Sequence, residues 1–215
     1  MREADLTDYD EVRALMDGVD TVVHLAGAAS PESTWDDVLG ANVVGTRNVL
    51  EAARDAGVRR VVYASSNHVL GMYDRDEQWP VGPTDLPRPD SLYGVTKVFG
   101  ETLGRYYHDA HGLSVLCLRI GWVSPDPTET DVELLRAMWL SEDDAERVFA
   151  ARSRSRTSAT ASTTRSRTTQ TVAGTSRARC SSWATAPRTA GPTTCPRASR
   201  SSPAAPAPRR LAEGS

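Results

Sequence analysis

The stretch Arg60-Val61-Val62-Tyr63-Ala64-Ser65-Ser66 decides how this chain is read. A short apolar run that breaks into hydroxyl residues is the mark of a strand buried on both faces, with polar groups at its end. Upstream, Thr21-Val22-Val23-His24-Leu25-Ala26 is another such run, closed by Gly27, and Leu113 to Ile120 is a third. Between the first two, residues 34–56 carry Val38, Leu39, Val43, Thr46, Val49, Leu50 and Ala53 at helical spacing, with Gly57 as the stop. Between the second and third, a long loop over 67–90 leads to a helix that opens at Ser91 and ends near Gly112. A short helix follows Thr7-Asp8, and another runs from Ser141-Glu142-Asp143-Asp144 to about Ala150. Strands separated by helices of this length imply right-handed crossovers and a parallel sheet, so the fold class is α/β. Open sheets of this kind carry their sites just past the strand ends.

Charge divides the 215 residues in two. Residues 1–150 hold 27 of the 28 acids and 13 of the 25 Lys and Arg, a net charge of −14. Residues 151–215 hold 12 Arg and one acid, Glu213, a net charge of +11. The acidic body argues against a nucleic-acid partner and suits either an ordinary acidic enzyme or a protein kept soluble at high salt. No apolar run approaches the ~20 residues of a membrane span, and Met1-Arg2-Glu3-Ala4-Asp5 is not the start of a signal peptide. Cys117, Cys180 and Cys195 fit neither a disulfide framework nor a zinc spacing. A cytoplasmic protein without a membrane partner or metal site is expected. Residues 151–210 contain no Asp, Glu, Lys, Ile, Leu, Phe or Tyr and a single Val, Val172. Such a segment cannot bury enough apolar surface to offset its chain entropy, and 151–215 is expected to be a disordered basic tail. Two origins are open: an evolved tail for anionic partners, or a shift of reading frame in a GC-rich gene, which the completeness of the compositional break favours.

The chemistry centres on Tyr93-Gly94-Val95-Thr96-Lys97 at the start of a helix. The i, i+4 spacing puts the phenol and the ammonium on one face. A nearby ammonium favours the phenolate, so Lys97 is expected to lower the pKa of Tyr93 and let it act as a base. Ser65-Ser66, past the end of a buried strand, offers hydroxyls to the same substrate oxygen. Taken without Ser65-Ser66, the Tyr-x-x-x-Lys pattern is more often that of a packed Tyr and a solvated Lys.

Tyr93-x-x-x-Lys97 with Ser66, His24-Leu25-Ala26-Gly27, Asn42-Val43-Val44-Gly45-Thr46 and Leu118-Arg119-Ile120-Gly121 together resemble the extended short-chain dehydrogenases/reductases of the NAD-dependent epimerase/dehydratase group. Within that group, Ser65-Ser66-Asn67-His68-Val69, the stretch Pro89 to Lys97 and Arg119-Ile120-Gly121 are most similar to uronate dehydrogenases and to haloarchaeal NAD-dependent glucose-6-phosphate dehydrogenases. The resemblance covers residues 4–150. It implies a Rossmann-like, doubly wound parallel sheet and the cofactor NAD, with NADP left open. It implies Tyr93 as base, Lys97 on the nicotinamide ribose and Ser66 as the third catalytic member. Asp5 and Leu6 would contact adenine, Leu25, Ala26 and Gly27 would line the cofactor, and Ile120 would close over the nicotinamide. Ser30, Ser65, Asn67 and His68 would face the sugar, Asn42 would shape the site, and Arg136 would bind a carboxylate or phosphate if it is not a surface ion pair. The implied reaction is oxidation of a uronate or sugar phosphate at C1 to a lactone, by a family-like homo-oligomer. A nucleotide-sugar epimerase or dehydratase is the alternative enzyme, and an inactive fragment or a basic-tailed binding protein the alternative of another class.

The sequence contains no G-x-G-x-x-G or G-x-x-G-x-x-G. By the family's strand order, the first βαβ unit would fall between the strand preceding Asp5 and the strand 21–26. The expectation is therefore a partial sheet, with unpaired edges at strands 21–26 and 60–64, in a chain that binds NAD poorly.

Overall fold

The computed structural model describes residues 2–82, 84–154 and, as backbone, 171–173. They fall in one unit, Met1–Cys180, and the second unit, Ser181–Ser215, lies outside them. Strands β1 (Thr21–His24), β2 (Arg60–Ser66), β3 (Ser114–Ile120) and β6 (Thr171–Ala173) form a parallel sheet in the order β1-β2-β3-β6. A two-stranded parallel sheet joins β4 (Trp122–Val123) to β5 (Trp139–Leu140). Helices α1 (Tyr9–Ala14), α2 (Trp35–Val38), α3 (Gly45–Asp55), α4 (Gly71–Arg75), α5 (Leu92–His111), α6 (Glu133–Ala137) and α7 (Glu142–Arg154) connect them.

Side-chain alternation divides the sheet into two working faces. Val61, Tyr63, Val115 and Cys117 turn one way and pack with Val12 of α1, Val49, Leu50 and Ala53 of α3 and Tyr107 of α5. Val23 and Ala64 lie on the other face, beside Ala145 and Phe149 of α7. The C-terminal end of α7 is held by two strand-end arginines. Arg59 Nη2 donates to the Ser153 carbonyl at 3.1 Å and Arg60 Nη1 to the Arg152 carbonyl at 2.9 Å, where cations complement the helix dipole. Both faces of the sheet are thus covered, the condition under which a parallel sheet is stable.

The local signals act where they were read. Asp8 caps α1 by accepting from the Asp10 and Glu11 amides. Ser91 caps α5 by accepting from Gly94 N, and Gly112 ends it in the left-handed region at φ +72°.

Five expectations need correction. The first strand ends at His24, because Gly27 at φ +150° turns the chain toward Asn42. The helix expected over 34–56 is interrupted by a π-helical stretch, Leu39–Val44, which a 3.6-residue period cannot reveal. The 67–90 loop contains a 3-10 turn, Asn67–Leu70, and α4. Strand 60–64 is not an edge, since β2 pairs along its length with β1 and β3; among the described residues β1 has β2 as its one neighbour. Residues 151–154, assigned to the disordered tail, complete α7, and 171–173 pair with Leu118–Ile120. The rest of the expected tail lies outside the described residues.

Candidate active site

A cavity of about 650 Å³ opens at the C-terminal ends of β1 and β2. Its walls are Leu25, Gly27 and Ala29 after β1, Ala64–Ser66 of β2, Tyr93 and Lys97 of α5, Ile120 and Gly121 after β3, and Glu146, Phe149 and Ser153 of α7. Cavities of this size commonly hold a small molecule or one end of a cofactor.

Three polar side chains converge there while being almost wholly buried: Ser66, Tyr93 and Lys97, at 5%, 7% and 5% exposure. Lys97 Nζ donates to the Ala64 carbonyl at 2.8 Å and lies 5.4 Å from the Tyr93 ring centre. Burial lowers the lysine pKa to about 8. The tyrosine departs from expectation. Burial raises its pKa above the ordinary value, and a hydrogen bond with Ser66 opposes that rise without overcoming it. Desolvation therefore prevails, and Lys97 does not produce the depression expected of it. Ser66 also donates to Asn67 Oδ1 at 3.2 Å and accepts from the His68 amide at 3.2 Å.

The remaining site candidates separate into groups. Leu25, Gly27 and Ile120 line the cavity with Tyr93, Lys97, Ser65 and Ser66, but the Ser65 hydroxyl is turned away to Glu101 at 2.6 Å. Asn67 and His68 flank it: Asn67 Nδ2 reaches Met138 Sδ at 3.3 Å, and the His68 ring sits edge-on to Tyr93 at 5.7 Å and bonds Asp90 at 3.0 Å. Ala26 is exposed and is not among the lining residues. Ser30 is exposed with its hydroxyl on the Glu32 carboxylate. Asp5 accepts from the Thr7 amide and hydroxyl, while Leu6 packs against the α1/α3 core, so neither borders the cavity. Arg136 is exposed and gives its Nε–H to the Pro127 carbonyl at 3.4 Å; among the described residues it forms no ion pair.

Besides Asn42, which the resemblance named, several participants had no role read for them in the sequence. His24 is buried with Nε2 3.2 Å from Thr46 Oγ1, and burial, then Lys97, lowers its pKa to about 4. Asn42, on the π-helical stretch, accepts from Ala28 N and donates to Ala28 O and Thr96 Oγ1, pinning the turn after β1. Glu101 and Arg119 form a buried ion pair behind the site. The signal for Glu101 was present: it lies eight residues after Tyr93 and four after Lys97, on the same helix face.

The nicotinamide-ribose end of a dinucleotide fits this arrangement. A buried amine, a phenol and a serine hydroxyl face an apolar wall of Leu25 and Ile120.

Comparison with known proteins agrees with the geometry. Residues 1–141 match the NAD dependent epimerase/dehydratase family. The chain is 46% identical over 156 residues to an NAD-dependent glucose-6-phosphate dehydrogenase of Haloferax volcanii, covering 68% of this chain and 60% of that protein. It is 47% identical over 160 residues to an L-arabinose 1-dehydrogenase (NAD(P)(+)) of the same organism, covering 66% and 63%. It superposes with a TM-score of 0.63 and 37% identity on a mutant uronate dehydrogenase of Agrobacterium tumefaciens complexed with NAD, covering 72% of this chain and 56% of that one. The chain thus spans less than two thirds of the length of each of these proteins. With the sheet, the Tyr93–Lys97–Ser66 constellation and these likenesses in agreement, the chain belongs to the NAD dependent epimerase/dehydratase family.

Proposed function

We propose that this chain carries the catalytic half-site of a sugar dehydrogenase that oxidises the C1 hydroxyl of a cyclic uronate or sugar phosphate to a lactone. The convergence of buried Ser66, Tyr93 and Lys97 on one cavity carries the reading. NAD, when bound, supplies the hydride acceptor. Tyr93 takes the proton of the C1 hydroxyl as hydride leaves C1, so the sugar loses H⁻ and H⁺ and becomes the lactone. Ser66 hydrogen-bonds the same oxygen and steadies the charge that develops on it. Lys97, one of its N–H groups spent on Ala64, has donors left for the ribose hydroxyls. Leu25 and Ile120 give the nicotinamide an apolar wall. Asn67 and His68, flanking Ser66 and Tyr93, are the residues best placed to read the sugar.

The described half-site includes no glycine-rich pyrophosphate turn. The assay therefore uses both the 215-residue chain and a chimera that places a glycine-rich βαβ unit of the dinucleotide-binding type ahead of residue 1. The chimera is expected to reduce NAD with a uronate or a sugar phosphate. Tyr93→Phe in it should lower turnover by ~10²–10⁴-fold while NAD binding by calorimetry is kept. Turnover within a few-fold of the parent refutes the role of Tyr93. A folded chimera that binds NAD yet oxidises none of the sugars refutes the dehydrogenase reading.

A further inference from the structure

Three consecutive residues of β2 each meet α5 at a different turn. Ser66 shares the cavity wall with Tyr93, the Ala64 carbonyl accepts from Lys97 Nζ at 2.8 Å, and Ser65 Oγ donates to Glu101 Oε1 at 2.6 Å. The first two contacts belong to the site already described. The third does not touch the cavity's contents, yet it is the most elaborate. Glu101 Oε1 also accepts from Arg119 Nε at 2.9 Å, and Oε2 accepts from Arg119 Nη2 at 2.8 Å. Both partners are buried, at 5% and 1% exposure, and among the described residues Arg119 Nη1 has no hydrogen-bond partner.

Register explains the arrangement. Ser65 and Arg119 stand opposite each other in the β2–β3 ladder, on the face turned to α5. Their neighbours Ser66 and Ile120 turn to the cavity. One carboxylate therefore ties the ends of two strands to the helix that carries Tyr93 and Lys97. A buried ion pair contributes little net stability, because desolvation offsets its Coulomb gain. What the planar, two-pronged guanidinium–carboxylate contact does supply is direction.

We propose that Glu101 is a positioning residue: gripped by Arg119 and Ser65, it sets the register of α5 against the ends of β2 and β3 and so places Lys97 and Tyr93 at the cavity. The inference rests on the proposed function only in calling those two residues catalytic.

The test uses a property of the sequence. Lys97 is the only lysine in the chain. The full 215-residue protein grown with lysine carrying carbon-13 at Cε gives one side-chain resonance, which needs no assignment and reports the amine's protonation against pH. Two variants are compared with the parent. Glu101→Leu with Arg119→Met replaces the pair by apolar groups of similar bulk, a change that buried pairs often tolerate. Ser65→Ala removes one anchor and alters no charge. If Glu101 positions the helix, Lys97 slips from Ala64 toward water, and its midpoint rises toward the ordinary lysine value. The expected rise is about one pH unit, or tenfold in proton affinity, in the double variant, and a smaller rise in Ser65→Ala. A role confined to stability would change the melting temperature and leave the midpoint in place.

A midpoint in folded Ser65→Ala within about 0.2 pH units of the parent's overturns the proposal, even if the double variant moves, because charge removal then explains that movement. Should the double variant not fold, Ser65→Ala decides alone. The readout needs neither NAD nor sugar. An upward shift in a chain whose chimera proves inactive therefore supports the positioning role and refutes only the dehydrogenase reading.

Discussion

Gly94 follows the proposed base directly, and its lack of a side chain is a packing requirement. A methyl group there would stand 2.5 Å from the His68 carbonyl oxygen and 3.1 Å from Pro89 Cβ, where ordinary contact begins at 3.4 Å. The first turn of α5 and the Asn67–Leu70 turn would have to part by about 0.9 Å to relieve this. Neither is free to move. The Gly94 amide is held by the Ser91 cap, and the His68 carbonyl accepts from the Gly71 and Asp90 amides. Two effects oppose each other in Gly94→Ala. Alanine gains at most about 1 kcal/mol over glycine within a helix. Overpacking costs about 1–3 kcal/mol, and losing one of the His68 bonds adds about 1 kcal/mol. The balance is a destabilisation of about 1–3 kcal/mol. With a urea dependence of about 2 kcal/mol per molar, the unfolding midpoint should fall by about 0.5–1.5 M. Gly40→Ala is the control, since its methyl would meet Thr7 Cγ2 at an ordinary 3.5 Å and should leave the midpoint unchanged or raised. A Gly94→Ala midpoint equal to or above the parent's refutes the reasoning, because propensity would then have outweighed a contact too loose to matter.

His24 resists protonation down to about pH 4 in the folded chain, whereas in the unfolded chain it takes a proton near pH 6.5. Stability should therefore be full above that upper value and fall by about 3 kcal/mol as pH drops through the window to 4. His24→Gln should flatten this part of the profile, and an unchanged slope between pH 4 and 7 in urea titrations would show that burial does not hold the ring neutral. Asn42→Ala strands the Ala28 amide and carbonyl and removes a donor from Thr96 Oγ1, which keeps its own bond to the Tyr93 carbonyl; at about 1 kcal/mol for each lost bond the total loss is about 2–4 kcal/mol. Amide exchange at Ala28 should quicken with it, and exchange as slow as the parent's would mean that Asn42 does not anchor the turn after β1.

The sequence by itself determined what is local in cause. Alternating apolar runs and helical stripes specify strands and helices without reference to the rest of the chain, so β2, β3 and α5 were legible nearly to the residue. The spacing of Tyr93 and Lys97 is a property of one helix, and it too could be read directly. Only the tertiary structure decided what depends on residues distant in sequence meeting in space. Ser66 reaches Tyr93 across 27 positions, and Arg119 meets Glu101 across 18, because a crossover helix lies back over the strands that flank it. Asn42, on the π-helical stretch Leu39–Val44, meets Ala28 and Thr96, contacts that no periodicity records. Residues 151–154 and 171–173 have no apolar pattern to announce them. Arg59 and Arg60 hold helix carbonyls of the first group, and the backbone of the second pairs along β3, contacts made from elsewhere in the chain. The protonation of the site likewise belongs to the fold. Spacing places an ammonium near a phenol, but the depth of burial decides that both resist charge, since desolvation acts on every ionisable group the core encloses.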